Sequence, residues 1–254
     1  MNMVLLTALG VGGATVVGAL AGFAIKKIPH KFNDAVLGFA AGVMLAAAVL
    51  GLIIPSLEYG GKHGVWLTIV GVIAGALFLN VLDRLVPHLH SLAGIGDDHE
   101  MHPEASAQLS KVLLFVAAIA IHNLPEGIAA GVSFGTGDIA GALTVAGGIA
   151  LQNIPEGMVI IAPMLTAGVS KKRTFVIAMA TGLVEVIGTL FGYFAVNIAG
   201  FILPFALAFA GGTMLYVISD EMIPETHAHG FERGATYALL VGFCVMLIMD
   251  FYMG

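Results

Sequence analysis

Eight apolar stretches dominate the sequence, and each is about as long as the ~20 residues that a membrane-spanning helix needs. Of the 254 residues, 59% are hydrophobic and only 10% are charged, and the mean hydropathy is +0.99. A soluble domain normally carries about 25% charged residues, so the composition argues against a soluble fold. We therefore predict an all-α integral membrane protein with eight transmembrane helices, at about residues 4–25, 35–57, 64–82, 111–134, 139–168, 174–198, 200–219 and 234–253.

The basic residues predict how this bundle is oriented. Nine of the ten fall in loops on one side, and only Lys62 falls on the other. By the positive-inside rule, both termini lie outside and the loop at about residues 83–110 lies in the cytoplasm. This orientation predicts a multi-pass protein of the inner cell membrane. The nine residues are Lys26, Lys27, Lys31, Arg84, Lys111, Lys171, Lys172, Arg173 and Arg233.

No long linker divides the chain, so residues 1–254 are interpreted as one transmembrane domain. The loop at about 83–110 is the only sizeable polar stretch, and it contains both histidines and acidic residues. The first apolar run is interpreted as a retained helix, because no basic residue precedes it and it exceeds the roughly 7–15 apolar residues of a signal peptide. The net charge of −6 provides no basic surface for nucleic acid.

Two near-copies of one hexapeptide lie thirty residues apart, HNLPEG at 122–127 and QNIPEG at 152–157, inside the predicted fourth and fifth helices. A carboxylate at the centre of a membrane helix costs roughly 2.5–3.5 kcal/mol on the insertion scale, so Glu126 and Glu156 need a compensating partner. Glu185 adds a third carboxylate in the predicted sixth helix. A divalent cation is the partner that best suits these groups.

Helical geometry explains the spacing within each hexapeptide. At about 100° per residue, Glu126 lies between His122 and Asn123 around the helix, about 40° from His122. One carboxylate can then serve two neighbouring metal positions. Because the second hexapeptide has the same spacing, two facing helices could enclose a binuclear site bridged by Glu126 and Glu156.

Each hexapeptide also contains a proline. Pro125 and Pro155 lack a backbone N–H, which frees one carbonyl of the preceding turn and bends the helix. Backbone of this kind survives at membrane depth only where it faces protein or a wet cavity. The bent helices therefore favour a route through the membrane over a static site.

The residue types also limit the metal. Imidazole, carboxylate and amide oxygen suit zinc, iron(II), manganese or cobalt better than calcium or copper(I), and cadmium is a further candidate. The metal is expected as transported cargo, and no prosthetic group is expected.

The paired hexapeptides, the helix number, the histidine-bearing loop after helix 3 and the glutamate of helix 6 resemble the ZIP (Zrt/Irt-like) metal transporters, in particular their bacterial GufA-like branch. The resemblance spans essentially the whole chain. It implies a first transport site at His122, Glu126, Gln152 and Glu156, and a second at Asn123, Glu126, Asn153, Glu156 and Glu185.

The resemblance carries further expectations. It implies that Met44 places a thioether near the first site, and that Asp220 and Glu221 form an inner exit site. Many relatives have histidine in place of Gln152, and an amide oxygen is a poorer zinc ligand than imidazole. The family also implies import toward the cytoplasm, a homodimer, and an elevator-like shift of helices 1, 4, 5 and 6 against helices 2, 3, 7 and 8.

The leading hypothesis is a secondary transporter of divalent transition metals. No Gly-x-x-x-x-Gly-Lys-[Ser/Thr] sequence occurs, which argues against a built-in ATP motor. An intramembrane di-metal enzyme is the alternative, because bridging carboxylates also build catalytic two-metal sites. His-Glu-x-x-His is absent, as is Glu-x-x-His within the predicted helices, which disfavours that alternative. A metal-sensing or structural membrane protein is a third reading.

Overall fold

The computed structural model describes residues 2–25, 29–92 and 103–253, and the regular elements within these ranges are all helical. Two of the helices, α2 and α7, each contain a π-helical segment close to a proline. The described residues form eight long helices, with these bounds: α1 Asn2–Ala24; α2 His30–Ala48, continued by the π-helix Val49–Ile53 and by Ile54–Tyr59; α3 Gly64–Leu92; α4 Pro103–Ser133; α5 Ile139–Thr166; α6 Lys171–Ile198; α7 Leu203–Val217, continued by the π-helix Ile218–Met222 and by Ile223–Thr226; and α8 Glu232–Met253.

The all-helical prediction is confirmed. Within the described ranges, seven helices are long and apolar enough to cross a membrane. Helix α4 is not one of the seven, so the prediction of eight spanning helices remains a prediction.

The largest difference from the sequence prediction concerns the loop at about 83–110. Helix α3 continues to Leu92 and α4 begins at Pro103, so much of the predicted loop is helical. The prediction ends each helix where the sequence becomes polar. Residues such as Ala, Gln, Glu and Leu continue to favour a helix beyond that point. The histidines and acidic residues at positions 93–102 lie outside the described residues.

Packing divides the helices into two groups. The first group consists of α1, α4, α5 and α6, in which the most extensive contacts are α4 with α6, α1 with α5 and α1 with α6. The second group consists of α2, α3, α7 and α8, in which α2 packs against α8 and α3 against α7. Contacts of α2 with α5 and of α4 with α7 join the two groups. Both hexapeptides therefore lie in the first group.

Within each group, glycines bring helix backbones into direct contact. A Cβ atom added at Gly157 would overlap the carbonyl oxygen of Thr15, and one at Gly127 would overlap that of Glu185. In the second group, Gly42 lies in the same way against Leu239. Small residues at such positions allow membrane helices to approach closely.

Between the groups, glycines face side chains instead. Gly51 of α2 lies against the side chain of Val145 on α5, and Gly148 of α5 lies against the sulfur of Met246 on α8. The largest core cluster also spans this boundary, because it includes Ile149 together with Met246. The nearest contacts of Gly42, Gly127 and Gly157 within a group are thus with backbone, whereas those of Gly51 and Gly148 between the groups are with side chains.

The loop before α5 fixes where this helix, which carries the second hexapeptide, begins. Asp138 caps the helix, since its Oδ1 accepts hydrogen bonds from the backbone N–H groups of Ala140 at 3.0 Å and Gly141 at 3.1 Å. Gly137 precedes it with φ of +80°, a conformation that glycine adopts without steric cost. Such a cap contributes typically about 1 kcal/mol.

Candidate metal-binding site

The predicted ligands on α4, α5 and α6 converge inside the first group. Six are buried and Glu156 is half-buried, with Glu126 exposed by 1% and Glu185 by 0%. The buried six are His122, Asn123, Glu126, Gln152, Asn153 and Glu185.

Three carboxylates of this cluster are close enough to interact electrostatically. Glu156 interacts with Glu126, and Glu185 interacts with both of them. The electrostatic interaction between His122 and Glu126 has the opposite sign and is attractive. Burying like charges together costs free energy unless a counter-charge offsets the repulsion. A divalent cation would supply that counter-charge.

Several amide and carboxylate atoms of the cluster have no hydrogen-bond partner among the described residues. Both amide atoms of Asn123 and both of Gln152 are in this state, as are Oδ1 of Asn153 and Oε2 of Glu126. Gln152 lies beside the Glu126 carboxyl group, yet its amide does not reach hydrogen-bonding geometry there. Each buried polar group without a partner costs about 1–3 kcal/mol. The unpaired oxygens are the atoms that a metal ion would use.

Glu185 is held by donors from two other helices. The Thr15 hydroxyl on α1 donates to Oε1 at 3.1 Å, and the Asn153 amide on α5 donates to Oε2 at 2.8 Å. The same amide nitrogen lies 3.2 Å from the carbonyl oxygen of Val11. Asn153 therefore uses its nitrogen within the protein, while its Oδ1 has no hydrogen-bond partner among the described residues.

Sequence reasoning did not single out Thr15. It is one of few polar residues in the first apolar run, and hydroxyls in membrane helices often bond across to a neighbouring helix. That signal identifies a candidate donor but not its acceptor, which lies 170 positions away.

His122 connects the cluster to the second group. Its Nε2 lies 2.6 Å from Oε1 of Glu221, which belongs to the π-helical segment of α7. Glu221 is one-third exposed, and it also interacts electrostatically with Glu156. The neighbouring Asp220 is exposed.

Met44 lies fully buried in the main core cluster. This burial equally suits a packing residue, so the predicted thioether ligand remains a prediction. Among the described residues, no group of three or more His, Cys, Asp or Glu side chains is already arranged to hold a metal. Three of the seven residues of the predicted cluster are amides, and Asn153 donates a hydrogen bond to Glu185, so metal binding would require rearrangement of these side chains.

Comparison with known sequences adds an independent line of information. The profile described as "ZIP Zinc transporter" matches residues 90–250. The chain is 40% identical to the zinc transporter GufA of Myxococcus xanthus, with 100% of both chains covered. It is 38% identical to the zinc transporter ZIPB of Bordetella bronchiseptica, over 95% of this chain and 78% of that one. It is 31% identical to the zinc transporter ZIP11 of Homo sapiens, over 95% and 94%.

Proposed function

Because the chain belongs to the ZIP zinc transporter family, we propose that it carries divalent transition metals across the membrane toward the cytoplasm, with zinc as the main substrate. The observation that carries the proposal is the buried cluster of imidazole, carboxylate and amide groups on α4, α5 and α6. Iron(II), manganese, cobalt and cadmium are further substrates of suitable chemistry. The relatives are named as transporters rather than enzymes, which favours transport over the di-metal enzyme.

The first transport site consists of His122 and Glu126 from α4 with Gln152 and Glu156 from α5. The second shares both glutamates and adds Asn123, Asn153 and Glu185. The unpaired oxygens of Asn123, Gln152 and Asn153 support these assignments, because each is a buried acceptor that lacks a donor in the described structure. Met44 is a weaker addition to the first site, and Asp220 and Glu221 form the exit.

Binding to the second site requires Glu185 to exchange hydrogen bonds for metal. Its two oxygens accept bonds from Thr15 and Asn153 in this structure. A cation at Asn153 Oδ1 would approach Glu185 from the same side and compete with these donors. The two donors thus hold the carboxylate in place until metal arrives, and protons compete with metal for the remaining ligands.

Release involves His122 and the boundary between the two helix groups. In the described arrangement His122 contacts Glu221, so the acid of α7 competes with cargo for the imidazole. The backbone contacts at Gly42, Gly127 and Gly157 within the groups, and the side-chain contacts at Gly51 and Gly148 across the boundary, support movement of one group against the other as a unit. In the proposed orientation eight helices span the inner membrane, both termini lie outside and the protein forms homodimers.

The decisive experiment measures uptake of radiolabelled zinc into liposomes that contain the purified protein. Saturable uptake is expected for the wild type and is expected to be abolished in Glu126→Ala and in Glu156→Ala, since each carboxylate serves both sites. Glu232→Ala removes an equivalent charge from an exposed position on α8 and serves as the control. Competition by manganese, iron(II), cobalt and cadmium ranks the substrates.

Normal uptake by either glutamate variant would refute the bridging assignment. Tight zinc binding by the wild type without uptake would instead favour the enzyme or the sensor.

A further inference from the structure

Another cluster of potential metal ligands lies where the start of α2 meets the segment between α7 and α8. Asp34 of α2 is 0% exposed, and its Oδ1 accepts a hydrogen bond of 3.0 Å from Nδ1 of His229. The other oxygen, Oδ2, is buried and has no hydrogen-bond partner among the described residues. His30 stacks on His229, with ring centroids 4.3 Å apart. None of these residues belongs to the cluster on α4, α5 and α6.

The hydrogen bond to Asp34 determines which nitrogen of His229 is available for a metal. A carboxylate only accepts hydrogen bonds, so Nδ1 carries the proton and Nε2 presents a lone pair. Histidines that bind metal almost always donate their other ring N–H to a carboxylate, a carbonyl or water, and this partner fixes the ring orientation. The pair of Asp34 and His229 has this arrangement.

His30 provides a second imidazole, which is exposed and stacked on His229. The two rings are inclined by 25°. Two nitrogens on a tetrahedral zinc at about 2.0–2.1 Å lie about 3.3 Å apart, so the centroid distance of 4.3 Å is short enough for both rings to reach one ion. Because each lone pair lies in its ring plane, the two stacked rings have to tilt toward a common point to share that ion. The described residues contain no ready group of three acidic, cysteine or histidine ligands. Such a site therefore has two protein ligands, with water completing the coordination.

His227 is close in sequence but differs in its contacts. Its Nδ1 lies 2.8 Å from the carbonyl oxygen of Ile223, and its Nε2 lies 3.4 Å from the Thr236 hydroxyl. Both of its nitrogens are thus directed at α7 and α8. His229, which is partly buried, and His30, which is exposed, differ from His227 in having no such contacts to α7 and α8 among the described residues.

These residues also lie just beyond the end of α7, the helix that carries Glu221. Glu221 contacts His122, α7 ends at Thr226, and His229 follows three residues later. A metal that leaves His122 along Glu221 therefore reaches this end of the molecule. We propose that His30 and His229 form a zinc-binding site at the end of α7, with Asp34 as the positioning residue, and that this site accepts metal leaving the central cluster. The acceptor role rests on the proposed transport function, whereas the binding of zinc does not.

The test measures zinc binding by the purified full-length protein with the central cluster disabled. In the Glu126→Ala/Glu156→Ala background, equilibrium dialysis against zinc alone gives affinity and stoichiometry. His229→Ala and His30→Ala are each expected to weaken one zinc site at least tenfold, and Asp34→Asn to weaken it about 10–100-fold, as second-layer partners of metal-bound histidines do. His63→Ala, an exposed histidine near the other end of α2, is the matched control and should leave binding unchanged.

Unchanged zinc affinity and stoichiometry in both His229→Ala and His30→Ala would overturn the proposal. Thermal unfolding without metal distinguishes a structural role from zinc binding. Variants that unfold at lower temperature but bind zinc normally would show that these residues only stabilise the contact between α2 and the α7–α8 segment. Histidines at positions 93–102 are present in all variants, so they contribute equally to every measurement. Uptake by the double glutamate variant tests the central cluster separately: persisting uptake refutes that assignment and leaves the binding result valid.

Discussion

The two hexapeptides have nearly the same sequence but different surroundings. On α4, His122 contacts Glu221 of the opposite helix group, and Asn123 has no described partner for its amide. On α5, Asn153 bonds to Glu185 and to the backbone of α1, while Gln152 has no described partner. One copy thus contacts the second group, and the other is bonded within the first.

This difference teaches that a repeated motif does not imply repeated roles. The same Asn position is a free acceptor and donor on α4, whereas on α5 it orients a neighbouring carboxylate. The same Gly position docks on α6 in one copy, at Glu185, and on α1 in the other, at Thr15. What the two copies share is the glutamate, and what separates them is the helix that each one faces.

The largest effect is expected at the glycines, where the two copies should behave alike. Gly127→Ala and Gly157→Ala each place a Cβ against a backbone carbonyl, which cannot move aside as a side chain can. Overpacking typically costs about 1–3 kcal/mol, so the unfolding temperature and zinc uptake should both fall.

Gly10→Ala is the control, because a Cβ there meets nothing within 4 Å and alanine favours a helix by up to about 1 kcal/mol. If one copy tolerates alanine and the other does not, the two docking interfaces are not equivalent.

The asparagines should separate the copies. Asn153→Ala removes donors from Glu185 and Val11 and should lower stability by about 1–3 kcal/mol, because buried acceptors lose their partner. Asn123→Ala removes no described hydrogen bond, so its unfolding temperature should change less while its zinc uptake still falls. Thermal unfolding and uptake of both variants test this, and equal destabilisation would contradict the asymmetry.

Thr15→Val tests the hydrogen bond that, together with Asn153 of the α5 copy, holds Glu185 in place. Valine keeps the shape of threonine but cannot donate to Glu185, so stability should fall by about 0.5–1.5 kcal/mol. Thr213→Val is matched, since that buried hydroxyl bonds only within its own helix, to Ala210. Zinc affinity should change in Thr15→Val and not in Thr213→Val. Identical zinc titrations for the two variants would remove Thr15 from the site.

The smallest effect is expected from making the copies more alike. Gln152→His gives α5 the imidazole that α4 already has. Imidazole is a better zinc ligand than an amide oxygen, so the KM for zinc should fall severalfold while competition by manganese weakens. The fold should be unaffected, as the side chain has no described hydrogen bond to lose. Competition uptake measures the change, and stronger manganese competition would argue against Gln152 as a ligand.

Much of this arrangement follows from local rules, and the rest depends on packing. The helices and the common face of His122 and Glu126 follow from apolar length and helical spacing, which act within a few turns. The pairing of Asp34 with His229 joins positions 195 residues apart, and no local pattern identifies it. The helices α3 and α4 extend beyond the predicted apolar runs, because apolar length indicates the membrane span whereas helix propensity also acts in water.

The π-helical segments of α2 and α7 have a consequence for how these helices tolerate length changes. A π-turn bonds residue i to i+5 rather than i+4, so each segment accommodates one residue that a regular helix would not. Deleting Met222 would restore the regular winding and rotate Glu221 relative to Thr226. Homologous chains aligned without a gap there therefore share the surplus residue, whereas a one-residue gap would mark a chain in which this acid faces another direction.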